Sequence, residues 1–415
     1  MKRVLIIGGG VIGLSVAQAC AAQGCEVTVL ERQPQQRDGC SYGNAGMVVP
    51  SHFIPLAAPG MVTLGLKWMW NPESPFYIKP RLSWDLLTWG LQFWRSATAA
   101  RVAQASPILR DLGFASRARF DELAGELNEF GLVRRGLLML CQEQKTLDEE
   151  AHVAEQARQL GIPAEVHDAA GTAALDPNVK MAACGSVYYP RDAHLSPWLF
   201  MQFLEREITA RQGQLLFGTE VLGFEKRGPQ IAAVKTSRGI FEADEIVIAG
   251  GSWSPLVARQ LSLRIPLQAG KGYSLTLPNP KQMPQLCSIC CEARLAVTPM
   301  GSSLRFGGTM EMSGLHEAIS PRRVRGVIRG ATRFFPEFTE GDFAHLMPWC
   351  GLRPCSPDGL PYIGRTAKYR NLVIATGHAM MGLSLAPITG QLVEEIIRAA
   401  PPSVDLTLLS PDRFG

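Results

Sequence analysis

The stretch VLIIGGGVIG, residues 4–13, decides the fold of this chain. Its four leading apolar residues predict a parallel strand that is buried on both faces. Helical periodicity then covers residues 11–23 and ends at Gly24, a residue suited to the left-handed turn that terminates a helix. A second strand is predicted at residues 26–30. The order strand, glycine-rich turn, helix, strand predicts a βαβ unit of the dinucleotide-binding type.

Each glycine of this turn has a separate physical task. Gly8 permits the tight turn, and Gly10 lets a pyrophosphate approach the amides at the positive N-terminus of the helix. Gly13 lets the helix sit close to the strand. Glu31, at the end of the second strand, is placed to accept hydrogen bonds from ribose hydroxyls. A glycine-rich turn without a ligand is the less favoured alternative, because strand, helix and acid all stand where such a site needs them.

Two further segments indicate which dinucleotide is bound. The loop CSYGNAGM, residues 40–47, has small residues that suit a backbone laid along an extended cofactor. Residues 375–384 predict a strand, a glycine turn and a helix whose N-terminus stabilises negative charge on a reduced flavin ring. No second GxGxxG follows in the sequence, and a contiguous nicotinamide-binding domain is not indicated. The sequence therefore predicts FAD as the cofactor.

Composition limits the class of protein. The chain has 415 residues, enough for two or three folding units, and its net charge is +4. It has no basic block that would follow phosphates, so nucleic acid is not an expected partner. Its ten irregularly spaced cysteines are expected to be free thiols in a reducing compartment. No apolar run reaches the length of a membrane span, so we expect a cytoplasmic protein.

The order of elements predicts the domain organisation. After the βαβ unit comes a mixed middle region and then a return to α/β structure. This indicates an α/β plus α+β fold: a discontinuous FAD-binding, Rossmann-like domain of the glutathione-reductase type with an inserted mixed-sheet substrate domain. The FAD-binding domain is expected to comprise residues 1–60, 196–255 and 345–415. The substrate domain is expected to comprise residues 61–195 and 256–344.

Further elements are predicted from periodicity and from start and stop signals. The helices are predicted from Trp84 onward and at residues 107–130, 146–160, 196–211 and 386–399. The strands are predicted at residues 137–141, 220–226, 231–237, 245–249, 272–277, 294–299 and 304–309.

The sequence resembles a known family over essentially its whole length. The motifs KGYS at 271–274, GLRP at 351–354 and PDGLPYIG at 357–364, together with the N-terminal fingerprint, resemble the D-amino acid oxidase and dehydrogenase superfamily. Bacterial D-amino acid dehydrogenases, including D-hydroxyproline dehydrogenases, are the most similar members. The resemblance implies hydride transfer from the substrate α-carbon to flavin N5, below a substrate-domain sheet that roofs the flavin.

The resemblance also implies which residues bind the substrate. Arg353 of the GLRP motif is expected to hold the substrate carboxylate, and a guanidinium fork suits a carboxylate bidentately. Tyr273 and His378 are expected to shape the pocket and to hydrogen-bond the amine or the carboxylate. His52 is a further candidate. No general base is assigned, because hydride transfer depends on orientation and on an uncharged amine.

The residues expected to bind FAD belong to the fingerprint, the following loop, a middle strand-and-turn region and the C-terminal glycine turn. They are Gly8, Gly10, Val11, Ile12, Gly13, Glu31, Arg32, Ser41, Asn44, Ala45, Gly46, Met47, Val221, Ala249, Gly250, Trp253, Gly382, Leu383 and Ser384.

The cysteines raise two alternatives. One is a covalent bond between FAD and a cysteine, and the other is a metal site. Some amine oxidases of the wider superfamily attach flavin to a cysteine whose position corresponds to Gly351, next to Cys350, so noncovalent FAD is expected here. The run Cys287–x–x–Cys290–Cys291 is similar to half of a zinc site, which needs four ligands. Cys350 and Cys355 would have to complete it, and they flank the expected substrate arginine. A metal is therefore not expected.

The tryptophans are unevenly distributed. Trp68, Trp70, Trp84, Trp89 and Trp94 lie close together in the sequence. They indicate either core packing with a lid over the active site, or a partly exposed face that docks on a membrane or on another subunit. Both interpretations stay open from sequence. An unidentified electron acceptor, a quinone or an electron-transfer protein, and a peripheral contact with the inner membrane are the corresponding partner hypotheses.

The functional hypothesis is dehydrogenation of a D-amino acid, D-proline or cis-4-hydroxy-D-proline, to an imine. Two alternatives remain: an oxidase of the glycine or sarcosine type, and a flavin-carrying subunit of a hetero-oligomeric dehydrogenase.

Overall fold

A parallel sheet carries the N-terminal fingerprint. The structure, a computed structural model, describes residues 1–68, 76–79, 81 and 83–415. The expectation for Trp70 lies outside the described residues, as does the one for the side chain of Trp68.

The strands of the described residues are β1 Arg3–Ile7, β2 Glu26–Glu31, β3 Met47–Val48, β4 Phe76–Ile78, β5 Leu137–Cys141, β6 Glu165–Asp168, β7 Gly185–Tyr189, β8 Ala193–His194, β9 Gln214–Phe217, β10 Val221–Arg227, β11 Gln230–Thr236, β12 Gly239–Phe241, β13 Glu245–Ile248, β14 Gln268–Pro278, β15 Cys287–Cys290, β16 Leu295–Met300, β17 Ser303–Met312, β18 Trp349–Cys355, β19 Tyr362–Arg365 and β20 Leu372–Thr376. The α-helices are α1 Val11–Ala22, α2 Met61–Trp68, α3 Trp84–Ser96, α4 Ala99–Ala124, α5 Gln144–Gln159, α6 Ala169–Leu175, α7 Pro197–Ala210, α8 Ser254–Gln260, α9 Pro321–Phe334 and α10 Ala386–Arg398.

The parallel sheet has the strand order β19-β20-β13-β1-β2-β9. Strand β19 is antiparallel to β20, and the other neighbours run parallel. Its strands come from three separate parts of the chain, so the sheet forms only when distant segments meet. Strand β1 is central, and Val4, Leu5, Ile6 and Ile7 are all buried, as the apolar run predicts. The prediction of a Rossmann-like FAD-binding fold combined with a second, mixed-sheet unit is confirmed.

Two layers cover the parallel sheet. Helices α1, α4, α7 and α10 pack on one face and form a large apolar core with it. The other face is covered by a small antiparallel sheet, β10-β11-β12, and by helix α8. Burial on both faces explains why the strands are almost continuous runs of apolar residues.

A second, mixed sheet has the order β18-β14-β17-β16-β15-β5-β7-β6, with β4 beside β17. Helix α9 packs on one face of this sheet. The other face packs against Met47, the last residue of the predicted cofactor loop, and against Val49 and Phe53, which follow that loop. The second sheet therefore sits directly against the loop that leaves the parallel sheet.

Two elements differ from the expected domain division. Strand β18, which carries Arg353, lies beyond the expected boundary at residue 345, yet it pairs with β14 along the edge of the second sheet. Backbone pairing, which the sequence pattern does not show, decides its position. Helix α4 lies within the segment expected in the substrate domain, but it packs in the core of the parallel sheet.

The prediction of a helix at residues 107–130 is wrong at both ends. Helix α4 begins at Ala99, because the side chain of Thr98 accepts a hydrogen bond from the amide of Arg101 and caps the helix. Pro107 lies inside the helix, although the sequence pattern had placed it at the start. The helix ends at Ala124, where Gly125 adopts φ +49°.

The close approach of α1 and α10 depends on one glycine. A Cβ at Gly390 would lie 2.4 Å from the carbonyl oxygen of Ser15 in the facing helix. We predict that Gly390→Ala lowers the free energy of unfolding by about 1–3 kcal/mol, because it forces the helices apart. Gly90→Ala is the matched control, since a Cβ at Gly90 in α3 meets nothing within 4 Å. The control is expected to be neutral or stabilising by up to about 1 kcal/mol.

Urea unfolding of both variants, followed by circular dichroism, checks this prediction. Equal unfolding midpoints for the two variants would contradict the packing argument.

Candidate cofactor and substrate site

The β1–α1 turn is built around the absence of side chains. Gly8 has φ +115°, and a Cβ there would lie 2.5 Å from the carbonyl oxygen of Ala249. A Cβ at Gly13 would lie 1.9 Å from the carbonyl oxygen of Gly8. Gly10 caps α1 in an extended conformation. The turn thus brings free backbone amides at the helix N-terminus to the surface of a cavity.

Glu31 is held in a fixed position at this cavity. Its Oε2 accepts a hydrogen bond from the amide of Gly9 at 2.7 Å, and its Oε1 accepts one from the amide of Gln33 at 2.8 Å. Each carboxylate oxygen has a further lone pair. The Glu31 side chain is therefore oriented and still able to accept from a diol.

The loop after β2 is tied to the start of α1. The hydroxyl of Ser41 accepts a hydrogen bond from the amide of Val11 at 2.9 Å. The side chain of Asn44 accepts one from the amide of Gly46 at 2.8 Å, which closes a tight local turn. Both contacts hold the loop against the cavity.

Arg305, which no motif in the sequence marks, joins this loop to the second sheet. Its Nη1 donates to the carbonyl oxygens of Tyr42, at 2.9 Å, and Asn44, at 2.7 Å. Its Nε donates to the hydroxyl of Thr276 at 3.0 Å. Burial lowers the pKa of Arg305 to about 10. An isolated arginine within a strand reads in sequence as an exposed charge, so no local signal marked it.

The cavity measures ≈ 340 Å³ and extends from the β1–α1 turn to strand β18. This size is typical of small-molecule sites. The expected FAD-binding residues that line it are Gly8, Gly10, Val11, Ile12, Glu31, Arg32, Ser41, Asn44, Val221, Ala249, Gly250, Trp253, Gly382 and Leu383.

Five expected FAD-binding residues do not line the cavity: Gly13, Ala45, Gly46, Met47 and Ser384. Each of them supports the cavity wall instead. Ala45 and Met47 pack under the second sheet, and the carbonyl of Gly46 accepts a hydrogen bond from the amide of Leu195. The hydroxyl of Ser384 accepts one from the amide of Val49 at 2.9 Å. The periodicity of the motif shows that these residues are near the site, but not which way they face.

One end of the cavity offers a flat, polar platform. The guanidinium of Arg32 lies 4.1 Å from the centroid of the Trp253 ring, a cation–π contact. Leu256, Val257 and Gln260 of α8 also line this end, and the sequence analysis did not select them. A planar heterocycle such as adenine fits this mixture of aromatic, cationic and apolar surface.

Arg353 and His378 line the cavity, together with Pro354 and Ala379. The guanidinium of Arg353 packs over Gly272, where a Cβ would lie 2.2 Å from Nη1. Nη1 also donates to the carbonyl oxygen of Thr309 at 2.6 Å. Gly272 and Thr309 therefore fix the direction of the fork.

The charge of Arg353 has no carboxylate partner in the described part of the chain. One of its five N–H donors is used on a carbonyl, which leaves most of the fork for a ligand. Burial lowers the pKa of Arg353, but a guanidinium stays protonated at neutral pH. Withdrawing a cation from water without an ion-pair partner costs free energy, and an anionic ligand would compensate that cost.

Tyr273 does not line this cavity. Side chains alternate along β14, and Tyr273 lies on the face opposite Gly272 and Arg353. Its hydroxyl donates to Glu311 at 2.8 Å, and Lys271 lies 3.5 Å from the same carboxylate. Tyr273 is therefore part of a buried polar cluster behind the sheet.

His52 also does not line the cavity. Its Nδ1 lies 3.2 Å from the hydroxyl of Ser51, which donates to Asp192. Burial lowers the pKa of His52 to about 4 and raises the pKa of Asp192 to about 7. This chain of contacts anchors the segment after β3 to the β7–β8 turn.

The tautomer of His378 follows from its neighbour. Its Nε2 lies 3.0 Å from the hydroxyl of Thr389, which donates its single proton to the carbonyl of Leu385 at 2.7 Å. Nε2 must therefore carry the proton, and Nδ1 is an acceptor. Nδ1 has no hydrogen-bond partner among the described residues. Burial lowers the pKa of His378 to about 3, so the ring is neutral.

We predict that Thr389→Val weakens FAD binding, because it removes the acceptor for Nε2–H and releases the fixed tautomer of His378. Thr389→Ser keeps the hydroxyl and is expected to bind FAD like the wild type. Fluorescence titration of each apoprotein with FAD measures the dissociation constant. Identical constants and identical bound-flavin spectra for the two variants would contradict the role of Thr389.

The cysteines do not lie in a cluster of metal-ligand type within the described residues. All ten are free thiols. In the described residues, no three histidine, cysteine, aspartate or glutamate side chains come together in a way that could hold a metal ion. Burial raises the pKa of the thiols of Cys287 and Cys290 well above its usual value.

The residues of the cavity fit FAD. The glycine turn leaves the N-terminus of α1 accessible, which suits a pyrophosphate. Glu31 is placed to accept hydrogen bonds from ribose hydroxyls. Arg32 and Trp253 suit a heterocycle at one end, and Arg353 provides unpaired charge at the other. This arrangement defines a dinucleotide-dependent enzyme.

Comparison with known proteins agrees with this class. A model of the family "FAD dependent oxidoreductase" matches residues 3–396, and the chain belongs to that family. The D-amino acid dehydrogenase of Granulibacter bethesdensis is 34% identical over 100% of both chains. That of Bradyrhizobium diazoefficiens is 32% identical over 100% of this chain and 99% of its own.

Among solved structures, glycine oxidase from Geobacillus kaustophilus has a similar fold, with a TM-score of 0.79 and 23% identity over 100% of both chains. The predicted resemblance and the prediction of an FAD-dependent oxidoreductase are confirmed. None of the helices in the described ranges has the length and apolar character required to span a bilayer.

Proposed function

We propose that this protein is a D-amino acid dehydrogenase that prefers a cyclic substrate, D-proline or cis-4-hydroxy-D-proline. The observation that carries the proposal is the half-buried Arg353, which has no ion-pair partner among the described residues, at the end of the dinucleotide cavity. The names of the full-length relatives support the D-amino acid class. The cyclic preference rests on the overall resemblance to hydroxyproline-pathway dehydrogenases.

The side chains of this protein would bind and orient the substrate. Arg353 binds the carboxylate with a fork that Gly272 and Thr309 hold in place. Strand β18 at the edge of the second sheet contributes Leu352, Arg353 and Pro354 to the cavity wall. FAD, when bound, supplies the acceptor for the hydride that leaves the α-carbon. Because the carboxylate position and the hydride direction are both fixed, amine and side chain take distinct places and one enantiomer is used.

The attachment of FAD is proposed to be noncovalent. Gly351 occupies the position of the linking cysteine in covalent relatives of the wider superfamily. The neighbouring Cys350 lies on the opposite face of β18 from Gly351 and Arg353, because side chains alternate along a strand. Its thiol donates to the carbonyl of Glu317 at 2.9 Å.

The electron acceptor is proposed to be a quinone or an electron-transfer protein, with the enzyme on the cytoplasmic side of the inner membrane. The alternatives are an oxidase of the glycine or sarcosine type and a flavin-carrying subunit that is inactive alone. Rapid release of peroxide in air would favour the oxidase. A yellow protein whose flavin no amino acid reduces would favour the subunit.

Arg353→Lys is expected to lower kcat/KM by roughly 30- to 1000-fold, because a point charge does not reproduce the bidentate fork. The matched control is Arg325→Lys, an exposed arginine on α9, on the other face of the second sheet. Steady-state kinetics with an artificial dye as acceptor measures the effect. Wild-type kinetics in an Arg353→Lys protein that retains FAD would refute the carboxylate role.

The substrate class is tested by anaerobic reduction of the bound flavin. D-proline, cis-4-hydroxy-D-proline, D-alanine, glycine, sarcosine and L-proline are mixed with the protein, and the loss of absorbance near ~450 nm is followed. The proposal expects the cyclic D-substrates to react fastest. Faster reduction by L-proline or sarcosine than by any D-substrate would discard it.

A further inference from the structure

Helix α3 covers the strand that carries Arg353. The indole Nε1 of Trp89 donates to the carbonyl of Cys355 at 2.9 Å, and Trp89 packs against Met310, Met312 and Ala379. The ring of Phe93 stacks on Trp89 with centroids 5.0 Å apart. One face of α3 is therefore part of the packing behind the candidate active site, as the core interpretation of the tryptophans expects.

The opposite face of α3 is apolar and exposed. Trp84 is 84% exposed, Leu87 59%, Leu91 45% and Trp94 62%. Their spacing of three, four and three residues places them in one row along the helix, which we call the outer stripe. A helix on the surface of a globular protein normally presents polar residues to water. The exposed indoles confirm that part of the tryptophan cluster lies outside the core.

Two arginines that follow the outer stripe closely in the chain, Arg95 at the end of α3 and Arg101 at the start of α4, carry positive charge. Arg95 and Arg101 are exposed, and neither forms an ion pair within the described residues. Asp85, the acidic residue of α3, is paired with Arg259 of α8. A partner that meets this surface therefore encounters large apolar groups next to free guanidinium groups.

We propose that α3 docks on an anionic lipid bilayer, with the outer stripe in the headgroup region and Arg95 and Arg101 on lipid phosphates. Tryptophan and leucine on one face, with arginine beside them, are typical of helices that lie in the plane of a membrane interface.

A second copy of the chain fits this surface less well. In a two-fold contact the same patch would face itself, which brings the unpaired arginines of the two copies together. Like charges opposite each other oppose such a contact. Lipid phosphates, in contrast, complement both arginines.

Docking through α3 has a consequence that rests on the proposed function. The helix separates the bilayer from strand β18 by about one helix diameter, ~10 Å. A lipid-soluble electron acceptor would then reach the protein close to the candidate active site. The lipid contact itself does not depend on which amino acid is oxidised.

Flotation of the FAD-loaded protein with vesicles tests the proposal. The wild type is expected to float with vesicles of phosphatidylcholine and phosphatidylglycerol at 3:1, and much less with phosphatidylcholine alone. The double variant Leu87→Ser and Leu91→Ser is expected to bind about tenfold or more weakly, because two apolar groups are lost. Arg95→Gln with Arg101→Gln is expected to reduce binding to the level of phosphatidylcholine alone.

The matched control is Leu127→Ser with Leu222→Ser, two exposed leucines in other parts of the surface. It is expected to float like the wild type. Turnover with a soluble dye is expected to be the same in all variants, so a failure of docking is separate from a failure of the proposed reaction. Three results would overturn the proposal: no flotation of the wild type, wild-type flotation of the Leu87→Ser and Leu91→Ser protein, or a concentration-dependent dimer that this variant abolishes.

Discussion

The buried guanidinium of Arg305 connects the two halves of this enzyme. It extends from strand β17 and donates to two carbonyls of the loop that follows Glu31. That loop also receives the first amide of α1 through Ser41. The helix N-terminus, the loop and the second sheet are therefore coupled by a short chain of hydrogen bonds. Since charged hydrogen-bond donors make strong contacts when buried, this coupling fixes where the second sheet lies above the dinucleotide cavity.

The position of the second sheet determines which side chains of its edge strand, β18, reach the cavity. Strand β18 places Arg353 at the cavity, and the paired strand β14 provides Gly272 below the guanidinium. The carbonyl of Thr309 holds the fork from the neighbouring strand, at a residue with φ +68°. This is an unusual conformation for a β-branched residue. Local strain beside a candidate substrate group is consistent with a site where precise orientation matters more than stability.

The sequence predicts the parts of the site that depend on local geometry. Three features are visible as sequence patterns, because each requires particular residues at a fixed spacing. They are the glycines at which a Cβ would clash, the acidic residue after a buried strand, and the loop at 40–47. Contacts that depend on tertiary structure are not visible. Arg305 resembles an exposed strand arginine, Tyr273 resembles a pocket residue until the pairing of β14 shows its face, and β18 reads as part of the C-terminal domain. Which face of α3 is buried and which is exposed also depends on packing, because the helix carries apolar residues on both faces.

The orientation of a carboxylate by Arg353 is the central claim, and a crystal structure of the FAD-bound protein with a carboxylate analogue of proline tests it most directly. The account predicts a carboxylate oxygen within about 3 Å of a free nitrogen of Arg353, between the second sheet and the flavin, while Nη1 keeps its contact with Thr309. A ligand whose carboxylate binds elsewhere, with the Arg353 fork still lacking an anionic partner, would contradict it.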